Sequence, residues 1–196
     1  MKHPLVLASA SSGRRLLLEE VSIDFEVFPA DIDESVLDGE GPEELVLRLS
    51  ELKARSVAPF FPGRYVLAAD TVVSAGSSQI LGKPRDPEHA QQILEELQGG
   101  KHCVHTAFCI FNSEDASTPV LRSSSTEVFV RPMTTAEIRR YVGTREPMGK
   151  AGAYSIQGLA KAFISELRGS YTGVVGLPMA ELREELQKFG FAEGLE

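Results

Sequence analysis

The sequence is an acidic chain of 196 residues with the composition of an ordinary globular protein. It has 20 Lys and Arg against 28 Asp and Glu, a net charge of −8, and 42% hydrophobic residues. This composition excludes collagen, disorder and a disulfide scaffold, and no apolar run approaches the roughly 18 residues that a membrane helix needs. The acidity argues against a general nucleic-acid binder, whose affinity depends on neutralising phosphates. We expect one domain over residues 1–196, with neither nucleic acid nor membrane as a partner.

Residues 5–8, followed by small residues, imitate the core of a signal peptide. A secretory core needs roughly 7–15 apolar residues, however, and this stretch is shorter. The two cysteines, Cys103 and Cys109, are a weak framework for an oxidising compartment. We therefore expect a cytoplasmic protein.

The first half of the chain alternates short apolar strands with amphipathic helices. Leu45, Leu49 and Leu52 recur at helical spacing after Pro42, which predicts a long helix. The predicted elements are a strand over residues 5–8, a helix over 14–21, an extended segment over 25–32, a helix over 42–58, a strand over 65–75, a turn at Ser77-Ser78 and a strand at 80–81.

The second half contains clear helix signals. Asp86-Pro87 is an N-cap followed by proline at the first helical position, and Gly99 ends that helix. Thr134 with Glu137 forms a capping box. The other predicted elements are strands over 101–111, 126–130 and 162–167, the end of the capping-box helix at Gly143, and a final helix opened by Pro178. This alternation indicates an α/β fold whose hairpins make the sheet mixed.

The polar loop after the first strand leads directly into a helix. A helix N-terminus presents unpaired N–H groups and the positive end of a dipole, so it can bind an anion. The hydroxyls of Ser9 and Ser11 add donors there, and Arg14 adds a forked cation for phosphate oxygens. The structural alternative is an N-cap serine beside solvated arginines.

Two charged residues lie where apolar ones are expected. Lys53 falls about 80° from Leu45 on a helical wheel, inside the apolar arc; it either aims its ammonium at a polar cleft or buries its stem and reaches water. Asp70 interrupts a strand-like run, where an unpaired carboxylate is costly. It is either a general base or metal ligand, or it marks a strand end or bulge.

Two later segments complete the candidates. Gly82-Lys83-Pro84 is not a Walker A motif, because Pro84 stands where Ser or Thr should hold the metal. Lys83 is then a cation on a loop, and the alternative is an ordinary surface residue.

Residues 146–158 are rich in glycine and small side chains, which is typical of a functional loop. The amide of Gln157 can read a nucleobase edge, and packing alone is the alternative.

Taken together, these segments resemble the Maf family of nucleoside triphosphate pyrophosphatases, some of them described as septum formation inhibitors. The similarity runs from the first strand to the last helix with the motifs in family order. The matching segments are Leu7-Ala8-Ser9-Ala10-Ser11, Ala69-Asp70-Thr71, Gly82-Lys83-Pro84, Lys150-Ala151-Gly152-Ala153-Tyr154-Ser155-Ile156-Gln157-Gly158 and Val175-Gly176-Leu177-Pro178.

The resemblance implies hydrolysis of a nucleoside triphosphate between its α and β phosphates, with a monophosphate and pyrophosphate as products. It also implies a divalent cation (Mg²⁺, Mn²⁺ or Co²⁺), an elongated mixed α/β fold of the Maf and ITPase type with a central cleft, and a homodimer. By matching position, Asp70 is the general base, and Glu34 with Asp70 holds the metal. Ser9, Arg14, Lys53 and Lys83 surround the phosphates, and Thr71 and Gln157 select the base.

The sequence of the loop around Tyr154 is similar to that of the family branch that acts on dTTP and UTP, rather than the branch that acts on 7-methyl-GTP. Two positions, however, depart from the family pattern. Gly13 stands where the family usually has the first arginine of Ser-Pro-Arg-Arg, a position linked to specificity; a one-residue shift would make Arg14-Arg15 the pair. Gly149 replaces a customary aspartate. The alternatives are the same reaction on a modified or purine nucleotide such as 7-methyl-GTP, and a non-catalytic nucleotide sensor that regulates cell division.

Overall fold

A computed structural model describes residues 4–76 and 79–191, so the turn predicted at Ser77-Ser78 lies outside the described residues. Within them, the strands are β1 (Leu5–Leu7), β2 (Phe25–Val27), β3 (Val66–Ala75), β4 (Gln79–Leu81), β5 (Lys101–Phe111), β6 (Val120–Val130) and β7 (Ile164–Arg168). The helices are α1 (Ser12–Glu20), α2 (Pro42–Val57), α3 (Pro87–Leu97), α4 (Thr135–Gly143), α5 (Tyr171–Val175) and α6 (Met179–Lys188). Short 3-10 helices cover Ala58–Phe60, Ala151–Ala153 and Leu159–Ala162.

The strands form one seven-stranded mixed sheet in the order β2-β1-β3-β5-β6-β7, with β4 paired to β3. β1 is parallel to β2 and to β3, with Val6 opposite Glu26 and Val66. β4 is antiparallel to β3, and β7 is antiparallel to β6. The combination of parallel and antiparallel pairs confirms the predicted mixed α/β class.

The predicted helix signals are confirmed where they were strongest. The side chain of Asp86 accepts a hydrogen bond from the His89 N–H at the start of α3. Thr134 and Glu137 form the predicted capping box of α4. Pro178 is the N-cap of α6. Each signal acts through local backbone groups, which explains why it can be read from sequence.

Other predictions differ from the structure in their bounds. The extended segment predicted over residues 25–32 is a strand only over Phe25–Val27. Phe28 N–H still donates to Leu7 O at 3.0 Å, but Pro29 has no N–H with which to continue the ladder. β6 begins at Val120 rather than residue 126, and α5 was not predicted. Leu52, one of the three leucines at helical spacing in α2, is 41% exposed, whereas Leu45 and Leu49 are buried.

The described residues divide into two compact units. The first unit comprises the described residues within 1–70, 106–124 and 176–196. Its sheet core packs apolar residues of β1, β3 and β5 against the end of α2, and these are Val6, Ala8, Ala54, Val57, Ala58, Val66, Ala68 and Cys109. β1 and the end of α2 are therefore packed into one core within this unit.

The second unit comprises the described residues within 71–105 and 125–175. Its core joins α3 and α4 to the far half of β3 and to residues 153–163. Ala153, Tyr154, Ile156 and Ala160 are buried members of this core. The glycine-rich segment is thus anchored at several points within its own unit.

Across the described parts of the chain, none of the helices is both long and apolar enough to cross a bilayer.

Candidate active site

The loop between β1 and α1 folds back on itself through serine side chains. Ser11 is the N-cap of α1, and its Oγ accepts a hydrogen bond from Arg14 N at 3.4 Å. Ser9 Oγ accepts from Ser11 N at 3.2 Å and from Arg14 Nη1 at 3.1 Å. Ser11 therefore performs the capping role that was the structural alternative, while Ser9 joins the loop to the Arg14 guanidinium.

Arg14 is a buried cation held from two sides. Its Nε donates to the Gly176 carbonyl at 3.0 Å and its Nη1 donates to Ser9, and the residue is 9% exposed. Burial lowers the pKa of Arg14, whereas the nearby charges of Asp70 and Glu34 act to raise it. Both carboxylates thus lie within electrostatic reach of the guanidinium, and the alternative of a solvated arginine is wrong for this residue.

Lys53 projects from α2 between two carboxylates. Its Nζ lies 2.6 Å from Asp70 Oδ1 and 2.5 Å from Glu34 Oε1. The side chains of Lys53 and Asp70 are each 9% exposed, whereas that of Glu34 is 42% exposed. The helical wheel therefore predicted correctly that Lys53 lies inside the apolar arc of α2. Its ammonium group lies within a buried polar cluster instead of reaching water.

Asp70 lies in the interior of β3, so the alternative of a strand end is wrong. A carboxylate in a buried strand is costly unless a cation compensates it. Lys53 supplies that cation directly, and the guanidinium of Arg14 adds a second positive charge. The first unit thereby gathers two cations and two carboxylates next to the N-terminus of α1. We call Ser9, Arg14, Glu34, Lys53 and Asp70 the charged cluster.

The carboxylates of this cluster fit a divalent cation that is shared with a substrate. Glu34 and Asp70 both bring an oxygen to the same Lys53 Nζ, so two hard oxygen donors converge. Among the described residues, no group of three or more His, Cys, Asp or Glu side chains is placed to hold a metal. Mg²⁺ in nucleotide enzymes is commonly bound by one or two carboxylates together with substrate phosphates, and this donor set matches that pattern.

The remaining predicted site residues belong to the second unit. Thr71 is half-buried in β3, whereas Lys83 and Gln157 are exposed. Lys83 follows β4, and its segment is joined to the glycine-rich segment because Gly152 N donates to Gly82 O at 3.2 Å. The structure thus links the chain segments that carry Lys83 and Gln157 within one unit.

The two glycine departures have different structural settings. Gly13 is buried in the first turn of α1, directly before Arg14. Gly149 lies in an exposed turn with φ +75°, a left-handed conformation that glycine adopts without strain. Gly149 therefore suits the local backbone, and Gly13 leaves the first turn of α1 without a side chain at a buried position.

One functional group was missed by the sequence reasoning. The carbonyl of Gly176, which fixes Arg14, is a backbone atom 162 residues away along the chain. Its only sequence signal was the segment Val175-Gly176-Leu177-Pro178, to which no role was assigned. A backbone acceptor cannot be recognised from residue type.

Comparison with known proteins shows to which family this chain is similar. The family model described as Maf-like protein matches residues 4–189. A protein of Anaeromyxobacter dehalogenans named dTTP/UTP pyrophosphatase is 48% identical over 192 residues, covering 97% of this chain and 96% of that protein. A protein of the same name from Pelotomaculum thermopropionicum is 44% identical, covering 95% of this chain and 97% of that protein.

A solved structure agrees on the fold. The structure of a HAM1 protein from Coxiella burnetii matches with a TM-score of 0.55 at 19% identity, covering 96% of this chain and 100% of that one. At that identity the match concerns the fold alone. The family model and the two relatives span almost the whole chain, and on that basis the chain belongs to the Maf family.

Proposed function

We propose that this protein hydrolyses dTTP and UTP between the α and β phosphates, releasing a nucleoside monophosphate and pyrophosphate. Its full-length relatives carry the name dTTP/UTP pyrophosphatase. The observation that carries the proposal is the buried charged cluster, in which Arg14 and Lys53 are held beside Asp70 and Glu34. Cleavage of a phosphoanhydride depends mainly on positioning and charge neutralisation, and this cluster supplies both.

The phosphate tail is bound by groups that are already fixed in place. Hydrogen bonds to Gly176 and Ser9 keep the guanidinium group of Arg14 oriented. Arg14 therefore binds phosphate oxygens with little loss of side-chain entropy. Ser9 accepts two hydrogen bonds and can donate its own hydroxyl proton to a phosphate oxygen. Lys53 supplies a second charge, and we assign the same role to Lys83 and a donor role to Ser11.

Asp70 is the residue that we assign as general base. Its carboxylate is buried and ion-paired, so it stays oriented toward the cluster, where it can accept a proton from the attacking water. Glu34 and Asp70 would hold a divalent cation (Mg²⁺, Mn²⁺ or Co²⁺), which when bound supplies additional neutralisation of the phosphate charge. Pairing of Lys53 with the same two carboxylates keeps them together before substrate arrives.

Base selection is assigned to Thr71 and Gln157, with Gly13 as the departure that alters it. Gln157 is exposed, so its amide can offer a donor and an acceptor to the edge of a pyrimidine. At Gly13 the chain lacks the arginine that its family usually carries. The selectivity of this chain therefore depends more strongly on Thr71 and Gln157.

The proposal is tested by a panel of ordinary ribo- and deoxyribonucleoside triphosphates together with 7-methyl-GTP, assayed for pyrophosphate release with Mg²⁺ or Mn²⁺. We expect dTTP and UTP to give the highest kcat/KM. A preference for 7-methyl-GTP or a purine triphosphate would contradict the assigned substrate. Tight binding of dTTP without any product would instead favour the nucleotide sensor.

Compartment, assembly and domain organisation complete the proposal. Cys103 and Cys109 are both free thiols, which suits the reducing cytoplasm. We propose that the chain acts there as a homodimer, with residues 1–196 as a single domain. Light scattering of the purified protein tests the dimer, because a monomeric mass at micromolar concentration would contradict it.

A further inference from the structure

The segment that carries Gln157 is fixed at both sides of that residue. Ile156 and Ala160 are buried in the core of the second unit, whereas Gln157 between them is exposed. The anchored backbone fixes the point from which the exposed Gln157 side chain projects. Two side chains of the same unit, Glu146 and Tyr141, bind the backbone of residues 155–160.

A single carboxylate holds the far end of this segment. Glu146 Oε2 accepts a hydrogen bond from Leu159 N at 3.0 Å, and its Oε1 accepts one from Ala160 N at 3.4 Å. These amides begin the 3-10 helix Leu159–Ala162, whose first N–H groups have no partner inside the helix. Glu146, at the start of the glycine-rich segment 146–158, therefore caps the helix that follows this segment.

A buried tyrosine holds the near end and connects it to the same carboxylate. Tyr141 Oη accepts a hydrogen bond from Ser155 N at 3.2 Å and donates to Glu146 Oε1 at 2.8 Å. Burial, reinforced by the Glu146 charge, raises the pKa of Tyr141, while the hydrogen bond from Ser155 acts in the opposite direction. The phenol thus remains protonated and keeps donating. The ring packs edge-on against Phe163 at 5.1 Å.

The backbone at Gly158 passes so close to Glu146 that a side chain there would have to displace the Glu146 carboxylate. A Cβ built on Gly158 would overlap the Glu146 carboxylate group. Gly158 directly follows Gln157, so the carboxylate contacts the chain one residue from the exposed amide. Glu146 therefore contacts the backbone directly after Gln157, through close packing at Gly158 and through the amides of Leu159 and Ala160.

We propose that Glu146, oriented by Tyr141, is a positioning residue that holds Gln157 in place to recognise the nucleobase. This inference rests on the proposed function, because it concerns selection among triphosphates by that site. Glu146 and Tyr141 act on the substrate only through the segment 155–160. Their loss consequently weakens base recognition and leaves the hydrolytic chemistry in place.

Two conservative variants separate this role from general stability. Glu146→Gln preserves the shape of the side chain, but its amide keeps only one acceptor oxygen. At least one of the three groups that now donate to Glu146 (Tyr141 O–H and the N–H groups of Leu159 and Ala160) would then face an N–H donor. Tyr141→Phe keeps the ring against Phe163 and removes the hydroxyl. Glu166→Gln is the matched control, because Glu166 lies in the same unit and pairs with Arg168 at the surface.

The experiment measures kcat and KM for dTTP, dCTP and dGTP in these variants, in Gln157→Ala and in the double variant Glu146→Gln/Gln157→Ala. For Glu146→Gln and Tyr141→Phe we expect KM for dTTP to rise about tenfold with little change in kcat, and the preference for dTTP to fall by a similar factor. Because Glu146 acts through Gln157, the double variant should be no worse than Gln157→Ala alone. The Glu166→Gln control should match the wild type.

Unchanged KM and preference in active Glu146→Gln or Tyr141→Phe protein would overturn the positioning role and leave the proposed function intact. Additive losses in the double variant, or a fall in kcat at unchanged KM, would also overturn it. If Glu146→Gln does not fold, Tyr141→Phe alone decides between these results. Wild-type protein that releases no pyrophosphate from any triphosphate would overturn the proposed function and this inference with it.

Discussion

The charged cluster of the first unit and the segment 155–160 of the second unit are built in opposite ways. In the cluster, Lys53 and Asp70 are buried and contact each other directly through charged atoms. In the segment, Gln157 is exposed and uncharged; the Glu146 carboxylate holds the backbone after Gly158, and the Tyr141 hydroxyl holds it at Ser155. The side chains to which we assign the chemistry are fixed by one another, whereas the proposed base-recognition residue, Gln157, is fixed through its backbone.

This difference suits the two tasks. Charge neutralisation is strongest where water is excluded and cations are pre-oriented, so a buried cluster favours catalysis. Recognition of a base requires donors and acceptors that face the solvent until the substrate arrives. Variants in the cluster should consequently change turnover or phosphate binding, whereas variants around the segment should change selectivity or stability.

The largest effect is expected for Asp70→Asn. The amide keeps the shape of the side chain but cannot accept a proton, so kcat for dTTP should fall about a thousandfold. Lys53 retains Glu34 as a partner, so the protein should remain folded and bind nucleotide. Steady-state kinetics with Asp38→Asn as the exposed control measures this, and wild-type turnover by Asp70→Asn would show that another group is the base.

Lys53→Met should affect both turnover and stability. It removes the cation between Asp70 and Glu34, so kcat/KM should fall about a hundredfold, and the buried Asp70 carboxylate loses its direct partner, which should cost about 3 kcal/mol of unfolding free energy. Urea unfolding and kinetics check the two effects. The control is Lys101→Met, because Lys101 forms a surface ion pair with Glu127; equal losses in both variants would argue against a special role for Lys53.

A pH-dependent loss of stability is expected from the second unit. His102 is buried with its Nε2 2.8 Å from Tyr154 Oη, and burial lowers the pKa of His102 from 6.5 to about 4. Unfolded chains therefore bind a proton at His102 in a range where the folded protein does not. Unfolding free energy should fall by up to about 3 kcal/mol as the pH drops from 6.5 to about 4.

The measurement is urea unfolding of wild-type protein and His102→Gln across that range. Glutamine can keep a hydrogen bond to Tyr154, and it carries no proton at low pH. The variant should therefore show a shallower decline of unfolding free energy with acidification. Parallel declines in both proteins would assign the pH dependence to other groups.

The smallest effect is expected for Arg14→Lys. A lysine ammonium cannot hold both Gly176 and Ser9 while presenting a planar fork to phosphate, so KM for dTTP should rise about tenfold. Arg15→Lys is the matched control, because Arg15 is 63% exposed and pairs with Glu19. It also tests the shifted alignment, since a larger loss for Arg15→Lys would make Arg15 the phosphate ligand.

Local signals explain how much of the fold could be predicted. The N-cap at Asp86 and the capping box at Thr134 depend on neighbouring backbone groups, and the structure confirms both. The mixed α/β class and the family are confirmed as well. The elongated shape, the central cleft and the single domain over residues 1–196 stay predictions.

The site was predictable where one residue contradicts its local pattern. Lys53 in an apolar arc and Asp70 in an apolar strand stood out, and the structure pairs them at 2.6 Å. Gly176 and Glu146 did not stand out, because their contacts come from chain segments that only the folded structure brings together. The catalytic, metal-binding and specificity roles stay predictions until they are tested.

The most direct test of the central claim is identification of the products that wild-type protein forms from dTTP with Mg²⁺ in oxygen-18-labelled water. Attack between the α and β phosphates gives dTMP and pyrophosphate, with the label in one of these two products. We predict this outcome, and Asp70→Asn should slow it. Formation of dTDP and inorganic phosphate would contradict the account, because a different bond would then be cleaved.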